Sequence, residues 1–268
     1  MRILVVSDIH GNWPALAAIR EPHDVCLCLG DLVDYGPEPA ACVRWAMEHA
    51  RYAIRGNHDH GVAQGIPVVG ERGYRYLTSV SRPLMWDALG PDERRYLLQL
   101  PVTQRVTLGG KRFLMVHATP RDPLDEYLMR DPKTWAKRLQ NVEADFVCVG
   151  HSHMQFQLSV GGVVVVNPGS VGQPRDGDPR AAYAIIDGDK IELKRVAYPI
   201  EETLARLEAS PWPERAKQSL RHSLRLGRLP ATEVSAEPGK GTEPGAGAGP
   251  GSGPRGATTP NPDAEDVA

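Results

Sequence analysis

The sequence has no excess of either charge and no apolar run long enough to span a membrane. Its 31 basic and 33 acidic residues give a formal net charge of −2 with histidine neutral. This balance argues against a protein built mainly to bind nucleic-acid phosphates or an anionic membrane surface. The longest aliphatic runs, 3–6 and 163–166, have the length of strands, whereas a spanning helix needs roughly 18 to 20 residues. We therefore predict no membrane association and disfavour a nucleic-acid partner.

Cysteine and aromatic residues are scarce as well. The four cysteines lie inside apolar or helical patterns, which predicts reduced, buried thiols rather than a disulfide framework. Aromatic residues make up 6% of the chain, so the basic, aromatic-lined groove of a nuclease is not indicated. The N-terminus enters a strand pattern at once, without the extended apolar region of a secretory signal. We predict a cytoplasmic protein.

The composition changes near residue 231. Residues 231–268 contain eight glycines, six prolines and no aromatic residue, so they cannot bury enough apolar surface to offset the entropy of ordering. We predict one folded domain over residues 1–230 and a disordered Gly/Pro-rich tail over residues 231–268. Without the tail the chain has 29 basic and 27 acidic residues, which is still close to neutral.

Short aliphatic runs alternate with helical patterns before residue 231, as is typical of a layered α/β domain. The predicted strands are 3–7, 25–29, 51–54, 102–108, 111–116, 146–149, 163–166, 182–186 and 191–196. Helices are predicted over 14–20 and 39–49. The segment 66–101 carries two more helical patterns, the second opening at Pro91, and we interpret it as an insertion packed beside the site.

Polar residues of metal-binding type follow five of these strands. They are Asp8 and His10, Asp31 and Asp34, Asn57 and His58, His117, and His151 and His153. One aspartate after a strand is more often a helix cap or a turn residue. Five such clusters at successive strand ends favour a site, because strand C-termini in an α/β sheet meet at one edge.

The donor types indicate two metal ions. Residues two apart in an extended chain project to the same side, so Asp8 and His10 are expected to clamp one ion together, as are His151 and His153. Oxygen and nitrogen donors without thiolates suit Mn, Fe, Zn, Co or Ni. Seven ligands are too many for one ion but enough for two that share a bridging carboxylate. We predict two divalent transition-metal ions, manganese being favoured over Fe, Ni, Co and Zn.

The order of these motifs resembles that of the calcineurin-like metallophosphoesterases, which carry D-x-H, G-D-x-x-D, G-N-H-[DE], H and G-H-x-H. The corresponding residues here are 8–10, 30–34, 56–59, 117 and 150–153. Residues 31–39, 117–128 and 167–175 look like those of the small single-domain bacterial phosphodiesterase-like members. The resemblance spans about residues 2–197. It implies an α/β fold, a four-layer αββα sandwich of two mixed β-sheets flanked by helices.

The resemblance also implies a role for each motif residue. The implied ligands are Asp8, His10, Asp31 and His153 for the first metal, and Asp31, Asn57, His117 and His151 for the second. Asp31 would then bridge the two ions. His58 would protonate the leaving oxygen as general acid, and Asp34 would orient His58. This arrangement predicts direct hydrolysis by a metal-activated water, without a covalent phosphoenzyme.

One departure from the family limits the choice of substrate. Tyr35 stands where the phosphoprotein phosphatase branch typically has an arginine that grips phosphate, which argues against a Ser/Thr protein phosphatase. Candidate substrate-binding residues are Arg121, Arg175, Arg180 and Tyr35. Ion pairs with Asp122, Asp176 or Asp178 are the alternative role for the three arginines.

We therefore predict a phosphoesterase that hydrolyses a soluble small-molecule phosphodiester or phosphomonoester. A dinucleoside polyphosphate hydrolase and a protein or small-molecule phosphatase are close alternatives. A non-catalytic metal-binding scaffold of the same fold is an alternative of another class. A scaffold would be expected to lack ligands or the acid, and all seven ligands and His58 are present. The sequence leaves the oligomeric state open, including a homo-oligomer.

Overall fold

The aliphatic runs form strands that are buried on both faces. In β1 (Arg2–Val6), Ile3 and Val5 belong to an apolar cluster shared by two sheets, whereas Leu4 and Val6 belong to a cluster shared with helices. Successive side chains of a strand point to opposite faces. An unbroken run of aliphatic residues is therefore what a sheet covered on both sides requires.

The computed structural model describes residues 1–234, whose strands form two five-stranded mixed sheets. The first sheet has the order β10-β9-β1-β2-β3, and the second has the order β4-β5-β6-β8-β7. The strands after β1 are β2 Val25–Cys28, β3 Tyr52–Ala53, β4 Thr103–Leu108, β5 Lys111–Val116, β6 Phe146–Cys148, β7 Phe156–Val160, β8 Val163–Asn167, β9 Ala181–Asp187 and β10 Lys190–Val196.

Helices cover the outer faces of both sheets. They are α1 Trp13–Ala17, α2 Pro39–His49, α3 Asn57–Ala63, α4 Gly73–Ala88, α5 Pro91–Gln99, α6 Pro132–Arg138, α7 Ile200–Ala209, α8 Glu214–Leu226 and α9 Ala231–Val234. Apolar residues of α1, α2, α7 and α8 cluster with the first sheet, and Trp135 of α6 clusters with the second. The predicted four-layer sandwich of two mixed sheets flanked by helices is confirmed.

Several elements lie outside the predicted set. They are α3, α6, β7, α7 and α8. In α7 and α8 the buried leucines recur at helical spacing, as with Leu204 and Leu207 or Leu220 and Leu224, and this signal is periodic rather than a continuous aliphatic run. Helix α3 is too short and polar to show such a period, and it begins within the motif around Asn57.

The four residues 231–234, the first of the segment predicted to be a disordered tail, form one helical turn. Helix therefore replaces the predicted disorder at these positions. The rest of the predicted tail, residues 235–268, lies outside the described residues. Among the helices of residues 1–234, none combines the length and the apolar character needed to cross a membrane.

The parallel strands bring the polar motifs to one edge of the sandwich. β1 runs parallel to β2 and β2 to β3, while β5, β6 and β8 run parallel in the other sheet. Backbone hydrogen bonds then join the loops beyond the strand ends: Asp8 N donates to Gly30 O at 3.0 Å, and Gly150 N donates to His117 O at 2.8 Å. The loops that carry the five motifs therefore meet, as the sequence predicts.

Candidate metal centre

The loops that carry the motifs have an unusual backbone. Non-glycine residues with positive φ are uncommon, yet within residues 1–234 seven of the eight lie in these motifs or next to them. They are Asp8, His10, Asp31, Asp34, Tyr35, His151 and His153, with φ between 48° and 64°. Such backbone tends to occur where the surrounding structure imposes it at functional sites.

This backbone corrects one of the sequence arguments. Asp8 and His10 were expected to share an ion because residues two apart in an extended chain point the same way. Both are in the left-handed region, with φ of 53° and 48°, so the extended-chain reason is wrong. Asp8 and His10 nevertheless reach the same ligand group. His151 and His153 do not: both also have positive φ, and they fall in different ligand groups, so the expectation that they share one ion is wrong.

The first group of potential ligand atoms comes from Asp8, His10, Asp31 and His153, all of which are buried. One ligand atom from each lies within 4.8 Å of the others. The two Nε2 atoms of His10 and His153 are 3.2 Å apart, and His153 Nε2 is 3.4 Å from Asp8 Oδ1. Donor atoms this close can all face one cation.

The second group comes from Asp31, His117 and His151, again with ligand atoms within 4.8 Å of one another. His117 Nε2 lies 3.2 Å from Asp31 Oδ2, and Asn57 Oδ1 lies 3.1 Å from His151 Nδ1. The two groups share Asp31. The structure thus brings together all seven residues that the sequence nominated as ligands.

Backbone carbonyls orient the imidazole rings. The Nδ1 atoms of His10, His117 and His153 lie 2.9, 2.7 and 2.6 Å from the carbonyl oxygens of Val33, Leu29 and Gln173. A proton on each Nδ1 leaves the Nε2 lone pair pointing to the centre, as a ring that ligates metal requires. His151 has the opposite orientation, because its Nε2 faces Asp125 O at 3.3 Å.

The buried polar atoms of the centre fit divalent ions. Asp8 Oδ2, Asp31 Oδ2 and His117 Nε2 are buried and have no hydrogen-bond partner within residues 1–234. Leaving such atoms without partners costs free energy, and a cation among them would satisfy all three. With carboxylate, amide and imidazole donors but no thiolate, the set suits Mn, Fe, Co, Ni or Zn.

The pKa values of these groups follow from burial and from the two carboxylates. Burial lowers the pKa of His10 and that of His151 to about 3, so both rings are neutral and able to bind metal. For His117 burial acts in the same direction, but the adjacent Asp31 carboxylate raises its pKa to about 10. Burial raises the pKa of Asp8 to about 6. The centre therefore concentrates negative charge that a cation would neutralise.

Asp59 and Gly56 hold the shared Asp31 in place. The Asp59 carboxylate accepts hydrogen bonds from the backbone N–H groups of Asp31 and Leu32 at 2.7 and 2.8 Å. A Cβ on Gly56 would lie 2.1 Å from Asp31 Oδ1, so only glycine allows this approach. The acidic position of the G-N-H-[DE] motif is thus a support for the loop that carries the shared carboxylate.

His58 lies between Asp34 and Tyr35. Its Nδ1 is 2.7 Å from Asp34 Oδ2, and its Nε2 is 3.3 Å from the Tyr35 hydroxyl. Burial alone would raise the pKa of Asp34, but the hydrogen bonds and charges of His58 and Arg82 hold it below its ordinary value. Asp34 is therefore a carboxylate, and the proton of the pair lies on His58 Nδ1. The pairing expected of an oriented general acid is present.

Tyr35 and two residues of α4 complete this group. Tyr35 is only 3% exposed, and its hydroxyl faces His58. Arg82 and Ser81 of α4 donate hydrogen bonds to Asp34. Neither residue was nominated from the sequence, because nothing in the local pattern around Ser81 and Arg82 indicates that they reach Asp34, 47 and 48 residues away.

The three candidate arginines have different environments. Arg180 forms an ion pair with Asp178, and the exposed Arg121 lies 3.8 Å from Glu126. Arg175 forms no ion pair with any carboxylate of residues 1–234, and its Nε is buried without a hydrogen-bond partner there. Its guanidinium carbon lies 3.7 Å from the centre of the Tyr74 ring. Arg175 is thus the candidate most available for an anion.

The sequence and the structure were compared with known proteins. The calcineurin-like phosphoesterase superfamily domain matches residues 1–190. The uncharacterised protein MJ0912 of Methanocaldococcus jannaschii is 32% identical over 79% of this chain and 94% of its own length. Phosphodiesterase YfcE of Escherichia coli is 24% identical over 79% of this chain and 100% of its own.

Two solved structures have the same fold over most of their length. A metallophosphoesterase from Sphaerobacter thermophilus is 31% identical, with a TM-score of 0.70 over 85% of this chain and 99% of that one. The protein PH1004 from Pyrococcus horikoshii is 24% identical, with a TM-score of 0.71 over 82% of this chain and 97% of that one. These similarities confirm the family resemblance that the motifs predict.

Proposed function

Because the chain belongs to the calcineurin-like phosphoesterase superfamily and is a phosphoric ester hydrolase, we propose that it hydrolyses a small-molecule phosphodiester with two divalent metal ions. The observation that carries the proposal is the pair of ligand groups that share Asp31. The diester is favoured because the whole length of phosphodiesterase YfcE matches 79% of this chain. Manganese is the proposed metal, with Fe, Ni, Co or Zn as the alternatives.

We propose the same seven ligands that the sequence nominated. Asp8, His10, Asp31 and His153 would hold one ion, and Asp31, Asn57, His117 and His151 the other. Bound ions would acidify a water molecule to supply the nucleophile and would neutralise charge on the phosphate. The buried atoms Asp8 Oδ2, Asp31 Oδ2 and His117 Nε2 support this assignment, because a cation among them would give each of them a ligand bond.

His58 is the proposed general acid. Asp34 keeps one proton on His58 Nδ1, so a second proton on the ring is carried by Nε2. The His58 ring lies 4.9 Å from the ring of the proposed ligand His10, and this proximity supports a role at the leaving oxygen of a metal-bound phosphate. Donation from Nε2 to the leaving oxygen then completes the displacement, with the Asp34 carboxylate holding the ring in place.

Arg175 is the proposed phosphate-binding residue. A guanidinium binds phosphate through paired N–H donors, and stacking on Tyr74 fixes the plane of those donors before substrate arrives. Arg121 and Arg180 are engaged by Glu126 and Asp178, which makes them weaker candidates. Tyr35, through its contact with His58, supports the acid rather than the phosphate.

The proposal is tested by hydrolysis of bis-p-nitrophenyl phosphate and p-nitrophenyl phosphate. Metal-stripped protein is supplied with Mn²⁺, Fe²⁺, Ni²⁺, Co²⁺, Zn²⁺ or Mg²⁺ in turn. We expect turnover with a transition metal and a higher kcat/KM for the diester. Preference for the monoester would make the chain a phosphatase. Absence of turnover with every metal would favour the non-catalytic scaffold.

A further inference from the structure

Helix α4 presents a polar face to the candidate active site. This face starts with Tyr74 and continues four, seven and eight positions later with Thr78, Ser81 and Arg82. Side chains at this spacing lie on one face of a helix. Thr78 Oγ1 lies 3.0 Å from the Tyr35 hydroxyl, and Ser81 and Arg82 contact Asp34. The helix therefore touches both residues that flank His58.

The Asp34 carboxylate is held on both of its oxygens. Arg82 donates to Oδ2 from Nε at 2.9 Å and from Nη2 at 2.7 Å, while Ser81 Oγ donates to Oδ1 at 3.2 Å. Asp34 is 0% exposed and Arg82 is 3% exposed. Because a buried charge-assisted pair is stronger and more directional than an exposed one, these contacts fix the plane of the carboxylate.

The side chain of Arg82 reaches Asp34 across α3, the helix that carries His58. A Cβ on Gly61 of α3 would lie 1.9 Å from Arg82 Nη1, so any side chain at this position would displace the guanidinium from its present place. Arg82 Nη1 also donates to Ile66 O at 3.0 Å, just beyond α3. One side chain thus ties α4, α3 and Asp34 together.

We propose that Arg82, assisted by Ser81, is a positioning residue for proton transfer to the leaving group. It fixes the carboxylate of Asp34, which accepts the Nδ1 proton of His58 at 2.7 Å and so fixes the ring that donates from Nε2. This inference rests on the proposed role of His58 as general acid. Without Arg82 the carboxylate can turn, and the imidazole loses its alignment with the leaving oxygen.

Leaving groups of different basicity test the proposal. p-Nitrophenolate departs with little help from an acid, whereas phenolate needs a proton. We compare bis-p-nitrophenyl phosphate with diphenyl phosphate as substrates of wild type, Arg82→Gln, Arg82→Lys and Ser81→Ala, all loaded with metal. Arg75→Gln is the matched control, because Arg75 lies on the same helix and is exposed.

Arg82→Gln is expected to lower kcat for diphenyl phosphate about tenfold more than kcat for bis-p-nitrophenyl phosphate, since general acid catalysis as a whole supplies about 10² to 10⁴. KM and metal content should not change. Arg82→Lys should recover part of the loss, because an ammonium can replace one of the two donors. An equal loss on both substrates would overturn the proposal, because it would reduce Arg82 to a structural role.

A second measurement does not depend on turnover. The Nδ1–H proton of His58, held by Asp34, should give a downfield ¹H NMR resonance that is absent from His58→Ala. We expect Arg82→Gln to broaden or shift it, Ser81→Ala to do so less, and Arg75→Gln to leave it unchanged. An unchanged resonance in Arg82→Gln would contradict the proposal even if no ester is hydrolysed. If Arg82→Gln does not fold, Ser81→Ala provides both comparisons.

Discussion

At the residue scale, the site depends on backbone conformations that L-residues adopt only under constraint. Asp8, His10 and Asp31 have φ of 53°, 48° and 56°, and such residues cost on the order of 1 to 3 kcal/mol each. The surrounding loops hold them: His10 N donates to Asp31 O at 2.9 Å, and Asp59 accepts from Asp31 N. The side chains are therefore fixed before any metal or substrate binds, which is the preorganisation that catalysis needs.

His58 gives the first prediction at this scale. His58→Ala should keep both metal ions, because His58 contacts Asp34 and Tyr35 rather than the orphaned ligand atoms. It should lower kcat by about 10² to 10⁴. Metal content by plasma mass spectrometry and kcat on the diester measure the two effects. The exposed His49→Ala is the control, and loss of metal from His58→Ala would mean that His58 is itself a ligand.

At the scale of elements, two segments that are distant in sequence contact each other beside the candidate site. Tyr74 of α4 stacks on Arg175, which lies between β8 and β9. Removing the guanidinium in Arg175→Gln should raise KM about tenfold to hundredfold, because hydrogen bonds to charged groups contribute about 1.5 to 3 kcal/mol. Steady-state kinetics on the diester measures this, and metal content should stay constant.

Arg215 offers a matched control for this prediction. Its guanidinium stacks on Tyr76 of the same helix at 4.3 Å, but it is exposed and its partner is the carbonyl of Glu71. Arg215→Gln should leave KM unchanged. A KM for Arg175→Gln equal to that of wild type would show that the stacked guanidinium does not contact substrate.

A polar cluster around Glu21 joins two strands of the first sheet to the segment before β2. Glu21 accepts hydrogen bonds from Lys194 of β10 at 2.7 Å and from Tyr183 of β9 at 2.9 Å. The Lys194 hydrogen bond is the largest cause that lowers the pKa of Glu21 from 4.5 to about 2. A depressed carboxyl pKa stabilises the fold above pH 4.5 and loses this effect as the pH falls towards about 2.

Glu21→Gln should therefore be less stable than wild type near neutral pH, by about 1 kcal/mol after solvent screening. The difference should shrink steadily as the pH is lowered from about 5 to about 3. Urea unfolding of both chains at several pH values measures it. A difference in unfolding free energy that does not change with pH would assign the effect to packing rather than to the carboxylate charge.

At the scale of the whole molecule, the aliphatic runs and helical patterns predict a layered α/β domain, and the four layers are predicted because the motif order resembles that of the family. Aliphatic runs such as Ile3 to Val6 indicate strands that are buried on both faces of a sheet. The polar residues that follow the strand ends indicate where the metal ligands come together. The role of α4 could not be predicted, because nothing local in Ser81 or Arg82 indicates that they reach Asp34, 47 and 48 residues away. Contacts of that kind are set by how layers pack, as is the stacking of Arg175 on Tyr74.

The metal centre also couples function to the stability of the whole fold. Asp8 and Asp31 are buried within one centre, where burial and, less strongly, the charge of Asp31 raise the pKa of Asp8, and a bound cation would neutralise these carboxylates. Ligands that bind only the folded state stabilise it by about 2.7 kcal/mol at one hundred times Kd. We expect the Tm of chelator-treated protein to be several degrees lower and to recover when Mn²⁺ is added.

Asp31→Asn separates this effect from nonspecific ion binding. Because one carboxylate serves both ligand groups, the variant should lose most of the Mn²⁺-dependent rise in Tm, and both ions should dissociate together. Its metal-free Tm should fall below that of wild type, because the variant loses the attraction between the Asp31 carboxylate and His117 that holds the pKa of Asp31 well below its ordinary value. Asp92→Asn, an exposed aspartate paired with Arg95, should respond to Mn²⁺ as wild type does. If Asp31→Asn retains two tightly bound ions and a full rise in Tm, Asp31 does not bridge them.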